Sequence, residues 1–593
     1  MCGLCGTFAP DGDMDRSVAA AMHARLLHRG PDETYSLSTP TLSVKLGRLG
    51  MTALRDGWQP AEDRSGRFVA MTNGEVFNHR ELRRRLGEDR SANAVDVAVI
   101  PELFARYGSA GLRLVDGQFA TAVYDKAEGC LYLGRDRFGI CPMHYTARDT
   151  TVHFSSELRP LVASVPATWR LDHRALDQYL SLGNIVAPRT LVRDVHAVPP
   201  GCVVRFDAQG HRTDRYWRYG EFAGADAAPV TAGELRAALH GSVRDRLSAD
   251  VEIGAYLSGG FDSSTLVTEA AGVLEKPART FSVLFDDAAL DEGRFQREVA
   301  EAVGSEHHQI RCTPAHVAAE FEEMVRHCCY PQRETYNVAA LMLSREVHLA
   351  GVKGVISGEG ADELFFGYDS YAFDSLPRRR PPEARPENES AWGRADFGWE
   401  VDWRRRDRHR RLALTPTAAA AAEGDEFWRE RLIPFDDRET ARLSRMQMRS
   451  IADVHVQLGG HLLGDHGDIM LMAHSVEGRY PFLGNEVVEL GLRAGDAEKV
   501  ADFEGKACLK AAYADVLPEP VLRRAKQGFT AYGLDAVADD RLLARWRDLV
   551  AASGVFRPQA LDELGADPTP DRWDLRLSLI TVSVIIDELG LRS

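Results

Sequence analysis

Residues 253–264 read Ile253-Gly254-Ala255-Tyr256-Leu257-Ser258-Gly259-Gly260-Phe261-Asp262-Ser263-Ser264. Ile253–Leu257 is a short apolar strand, Ser258–Asp262 a glycine-bearing loop, and Ser263–Leu274 is helical in pattern. The unit recurs downstream. Thr280–Phe285 reads as strand, Asp291–Gly304 as helix, and Val355–Ser357 as a strand entering a second Gly-rich loop. Alternating β and α predicts a parallel, doubly wound sheet with ligands at the carboxyl ends of its strands. Two glycines let the backbone approach a ligand closely, and hydroxyls and N–H groups at a helix start cradle phosphate. This is not a Walker A loop, because no Gly-Lys-Ser or Gly-Lys-Thr closes it. Asp262 is placed to hold Mg²⁺.

Upstream, residues 1–215 are rich in short strand signals and turns, which predicts an α+β domain with antiparallel sheet. Phe68–Met71 reads as a strand entering a turn at Asn73-Gly74. Ala120–Tyr124 and Cys130–Gly134 read as a hairpin, and His79–Leu86 and Asp96–Tyr107 as helices. Residues 216–230, small and rich in Gly, Ala and Pro, read as a linker, leaving 231–593 as the second domain.

Of 593 residues, 44% are hydrophobic and 27% charged, which suffices for buried cores and excludes a disordered chain. The net charge of -16 opposes binding to nucleic acid or an anionic membrane. No run of ~18–20 apolar residues is present to span a bilayer, and the N-terminus lacks the basic start and apolar stretch of a signal peptide. Nine sparse cysteines do not form a disulfide framework, so a reducing cytoplasm fits. Pro377–Pro386 is rich in Arg and Pro, and Trp403–Arg411 is strongly basic; without interleaved aromatics the latter reads as a solvated face.

Cys2 follows the initiator Met1. With Met1 removed, its thiol and an α-amine of pKa about 7.7–8.0 supply nucleophile and base in one residue. Then follow His28-Arg29-Gly30-Pro31-Asp32, Gly47-Arg48-Leu49, Asn73-Gly74-Glu75, Asp96 and Gly134-Arg135-Asp136-Arg137-Phe138-Gly139. Together these resemble the glutaminase domain of class II glutamine amidotransferases, an N-terminal-nucleophile fold. The resemblance implies that Cys2 attacks the glutamine side-chain amide to form a thioester. It implies an oxyanion hole from Asn73 and Gly74, and glutamine binding by Arg48, Asn73, Glu75 and Asp96. Cys5 reads as packing. Leu46 and Ala98 stand where the family often has His and Glu.

The Ser258–Ser264 string resembles the pyrophosphate loop of N-type ATP pyrophosphatases. Ser357-Gly358-Glu359-Gly360-Ala361-Asp362-Glu363 resembles the second ATP loop of asparagine synthetases. Met472–Leu483, Glu504-Gly505-Lys506 and Arg524–Phe529 follow in that family's order. The resemblance to glutamine-hydrolysing asparagine synthetases implies ATP binding by Leu257, Ser258, Gly259, Gly260, Asp262, Ser263, Val283, Ser357 and Gly358. It implies Mg²⁺ at Asp262 and Asp362, an acid near the acyl intermediate at Glu359 that helps deprotonate the incoming amine, and charge stabilisation at phosphorus by Lys506. The implied reaction is amidation of a carboxylate through an acyl-adenylate, with aspartate as the family's default acceptor. Gly484 replaces the family's common Asp, and Pro331–Ala340 departs from the common bacterial pattern. Amidation of another carboxylic acid is therefore the alternative. A β-lactam synthetase-like cyclase is a weaker one, because a cyclase needs no glutaminase residues. The expected partners are small molecules, with neither nucleic acid nor membrane; the resemblance implies a homodimer.

Overall fold

The computed structural model describes residues 1–87, 93–221, 229–375, 384–399, 403–566 and 574–593. Among the described residues the chain forms two six-stranded antiparallel sheets followed by one five-stranded parallel sheet. In the first sheet the strands run in the order 196–197, 144–148, 151–155, 3–8, 42–48 and 33–38. In the second they run 210–215, 202–207, 130–135, 117–125, 68–76 and 61–62. The apolar faces of these two sheets share one core, where Leu4, Val44, Met71 and Val123 meet. On the outer face of the first sheet, helix Arg16–Ala24 buries Val18 and Met22 in a separate cluster with Cys5. The result is the layered N-terminal-nucleophile architecture expected from the motifs.

The expected turn at Asn73-Gly74 is corrected. Strand Phe68–Val76 runs straight through it, with Asn73 opposite Ala120 and Gly74 opposite Phe119. Long-range pairing along nine residues overrides the local turn preference of Asn-Gly. Gly74 is required there. Its φ is +139°, and a Cβ would lie 2.0 Å from the Gln118 carbonyl oxygen.

The parallel sheet has the order 306–312, 279–285, 253–256, 354–356 and 477–479. Strand Ile253–Tyr256 pairs on one side with the next strand in sequence and on the other with Gly354–Ile356. Chain order thus reverses across this strand, and a cleft opens at its carboxyl end. The following helix begins at Phe261, two residues before the expected start, so Asp262 sits in its first turn.

The basic run is also corrected. Trp403–Ala413 is a helix, but it does not present all its arginines to solvent. Arg406, with 7% of its side chain exposed, donates two 2.8 Å hydrogen bonds to Asp177, which is 1% exposed. Arg410 reaches the same carboxylate at 3.3 Å. Asp177 lies on helix His173–Leu182, whose packing partners could not be read locally. Removing one partner of a buried pair leaves the other charge uncompensated, at a cost of about 3–5 kcal/mol. Asp177→Ala should therefore lower the thermal midpoint by several degrees, read by scanning calorimetry, whereas Asp407→Ala, at an exposed carboxylate, should not. Most of Pro377–Pro386, and residues 222–228 of the expected linker, lie outside the described residues.

Candidate functional site

The first cluster forms where strand Gly3–Phe8 starts beside strand Phe68–Val76. The Cys2 backbone N–H donates to Asn73 Oδ1, while Asn73 Nδ2 is buried with no hydrogen-bond partner among the described residues. Arg29 Nε donates to the Cys2 carbonyl at 3.0 Å, and its other nitrogens reach Glu157 and Asp468. Burial pushes the Cys2 thiol pKa up, opposed by the neighbouring ammonium of Met1. That ammonium is itself buried and paired with Glu477.

Arg48 and Asp96 flank this cluster but are already engaged. Arg48 donates to Glu33, to the Tyr35 hydroxyl and to the carbonyls of Thr52, Ala53 and Gly57, so it braces the loop after Arg48. Asp96 accepts from the Val76 N–H and the Thr52 hydroxyl. Glu75 points to the domain seam, 3.4 Å from Arg479, and burial beside Asp96 raises its carboxyl pKa.

The second cluster lies at the carboxyl end of the parallel sheet. Leu257, Ser258, Asp262, Ser263, Val283 and Ser357 line one cavity of about 410 Å³, together with Gly358, Glu359, Asp362 and Lys526. Ser258 and Ser263 join hydroxyls at 3.0 Å, which curls the loop back on itself. Gly259 has φ +74°, and a Cβ there would meet Gln296 N at 2.7 Å. Gly260 leads instead into an adjoining cavity of about 270 Å³, lined also by Lys506, Lys510 and Arg524.

Four charges sit where the two cavities meet. Lys506 Nζ lies 2.6 Å from Asp262 Oδ2 and 2.6 Å from Asp362 Oδ1. Lys526 Nζ lies 2.6 Å from Asp362 Oδ2 and 3.9 Å from Asp262. The two lysines hold the Asp362 carboxyl at about 2, below the usual carboxylate range. Lys506 precedes helix Ala507–Tyr513 at φ +61°, a conformation a lysine rarely adopts. A Cβ at Gly367 would fall 2.2 Å from Lys506 Cε and 2.0 Å from Asp362 Oδ1, so only glycine leaves room for this contact. The oxygens of these two carboxylates are the kind of donor that a hard divalent cation would take.

A buried seam joins the clusters. Arg479 Nε donates to Glu477 Oε1 at 2.8 Å, and Gln118 Nε2 to the Gly478 carbonyl at 2.7 Å. The family model for glutamine amidotransferase domain matches residues 1–217, and that for asparagine synthase matches residues 234–587. The chain belongs to the asparagine synthase family. Asparagine synthetase (glutamine-hydrolyzing) 1 of Bacillus subtilis is 27% identical over 560 residues, covering 89% of this chain and 87% of that one. Asparagine synthetase (glutamine-hydrolyzing) 3 of the same organism is 25% identical, with the same coverage of both chains. Amidase chyE of Penicillium rubens is 29% identical over 59% of this chain and 54% of its own. As a member of the asparagine synthase family, the protein is a glutamine-dependent carbon–nitrogen ligase. No helix among the described residues is long and apolar enough to cross a membrane.

Several residues of this synthase site carried no assigned role from motif reading. Glu477, Arg479 and Tyr480 lay within a quoted signature, and Lys526 within another. The signal available was charge inside a stretch that is otherwise apolar, Val476-Glu477-Gly478-Arg479-Tyr480, all of it buried.

Proposed function

We propose that the protein activates a carboxylate with MgATP as an acyl-adenylate and converts it to the amide with ammonia drawn from glutamine. The acceptor is aspartate and the product asparagine. The observation that carries this reading is that Asp262, Asp362 and Lys526 line one cavity with Glu359 while Lys506, on the adjoining cavity, pairs with both aspartates, with Cys2 and Asn73 across a buried seam.

In the first half-site, Cys2 attacks the glutamine amide once Met1 has been removed and its own amine can take the thiol proton. The unpaired Asn73 Nδ2, with the Gly74 N–H, then donates to the oxygen that gains charge. One such donor typically contributes about 3–4 kcal/mol. Arg48 and Asp96 position the glutamine head group, at the expense of contacts Arg48 now makes to its own loop. In the second half-site, the Ser258–Ser263 loop holds the phosphates, with Leu257, Val283, Ser357 and Gly358 lining the nucleotide's place. Asp262 and Asp362 would hold Mg²⁺, which supplies neutralising charge to the polyphosphate. Lys506 and Lys526 then turn from the carboxylates toward phosphate oxygens, where a point charge stabilises the departing pyrophosphate.

A second reading, amidation of a different carboxylic acid, draws on Tyr336, His466 and Phe529. Their rings meet within 5.0–5.8 Å on the wall of the same cavity. The deciding experiment mixes protein, MgATP and glutamine with and without aspartate and follows pyrophosphate and amide by mass spectrometry. Aspartate-dependent pyrophosphate with asparagine is expected. Glutamate release without asparagine would discard aspartate and lead to a screen of carboxylates.

A further inference from the structure

Three buried polar atoms on the synthetase cavity have no hydrogen-bond partner among the described residues: Tyr256 Oη, Tyr480 Oη and Glu359 Oε2. All three residues line the same cavity of about 410 Å³. Buried hydroxyls and carboxylates are ordinarily satisfied, so three orphans facing one space indicate a missing ligand. Tyr480 comes from the seam. It directly follows strand Glu477–Arg479, and Cβ atoms at Gly467 or Gly478 would each lie 2.6 Å from its hydroxyl. The bare backbone at both glycines is what admits the phenol. Gly478 is also the residue whose carbonyl accepts from Gln118 of the glutaminase domain. Tyr480 therefore stands between the glutaminase face and Glu359. Tyr256 ends the central strand, two residues before the phosphate loop begins at Ser258.

We infer that the Tyr256 and Tyr480 hydroxyls are positioning groups that receive and orient the attacking ammonia beside Glu359, whose role as proton acceptor the family resemblance already implies. The inference rests on the amidation reading above. Ammonia carries three N–H donors and one lone pair. Two phenol oxygens and one carboxylate oxygen accept those N–H groups, which leaves the lone pair free for the acyl carbon. As the C–N bond forms and the acyl C–O bond breaks, AMP leaves with the bonding pair and Glu359 takes the proton lost from nitrogen. Burial raises the Glu359 carboxyl pKa and both phenol pKa values, so the hydroxyls keep their protons and Glu359 is a stronger proton acceptor than an exposed glutamate. The ligand class is a small neutral amine.

The test uses full-length wild type, Tyr480→Phe and Tyr256→Phe with ammonium chloride, MgATP and aspartate, or the carboxylate that a screen identifies. Each variant should raise the KM for ammonia about five- to tenfold, the loss of one hydrogen bond. The amide formed per pyrophosphate released should fall as water captures the waiting intermediate. The thermal midpoint should not fall, because removing an unpaired hydroxyl breaks no bond in the free protein. Wild-type ammonia KM and wild-type stoichiometry in both variants would overturn the inference alone. So would a lowered midpoint with unchanged stoichiometry, which marks a structural hydroxyl. A wild type that releases no pyrophosphate with any carboxylate overturns the amidation reading and this inference with it.

Discussion

Cys2→Ala abolishes glutamine-driven amidation but leaves ammonium salts able to supply nitrogen. The Cys2 thiol is the nucleophile assigned to the first cluster, and its replacement removes the covalent step rather than weakening binding. The expected loss in kcat/KM for glutamine is at least ~10³-fold. Nothing in the second cluster depends on the sulfur. Asp262, Asp362, Lys506 and Glu359 are held by the parallel sheet and its loops. The buried Cys2 side chain is small, so alanine leaves a modest void, and the Arg29 bond to the Cys2 carbonyl survives. Glutamate release and amide formation, followed separately, give the answer. Glutamine use at the wild-type rate would remove Cys2 from the chemistry, and loss of the ammonium-driven reaction as well would break the two-site reading.

Lys506→Ala has the opposite pattern. Pyrophosphate release should fall by about 10³-fold, while glutamine hydrolysis continues. The ammonium bridges the Asp262 and Asp362 carboxylates at 2.6 Å and is buried, so no solvent cation takes its place with comparable strength. A positioned charge at the reacting phosphate typically supplies several kcal/mol, and a neutral side chain supplies none. Lys526 cannot substitute fully, because it lies 3.9 Å from Asp262 and is more exposed. Lys506→Arg separates charge from shape: a guanidinium keeps the charge but not the point geometry beside Gly367, and partial activity is expected. Retained folding is checked by the thermal midpoint with MgATP present. Wild-type pyrophosphate release in the alanine variant would discard the assigned role.

Much of the architecture was legible because the parallel sheet is built from local units. Ile253–Tyr256, its glycine loop and the helix after it encode strand, turn and helix within twenty-one residues. The hairpin around Asp125–Gly129 was likewise short-range, and its register from Ala120 to Arg135 follows from adjacent strands. The misread elements share a cause. Asn73-Gly74 has turn chemistry, yet its partner strand begins at Gly117 and imposes extension. The Trp403–Arg411 run has a solvated composition, yet Asp177 reaches it from 229 residues away.

The strand–loop–helix alternation, the phosphate-loop glycines and the presence of a cysteine directly after Met1 were determined by the sequence alone, since each is a matter of periodicity or residue type at short spacing. Which charges become buried partners was decided only by the tertiary structure. Arg29 meets Asp468 across 439 residues, the Met1 ammonium meets Glu477 across 476, and Lys506 bridges aspartates from the first turns of two separate helices. The physical reason is desolvation. A charged side chain reads as solvated wherever it stands in a sequence, and it acquires an obligatory partner only when folding removes water from around it.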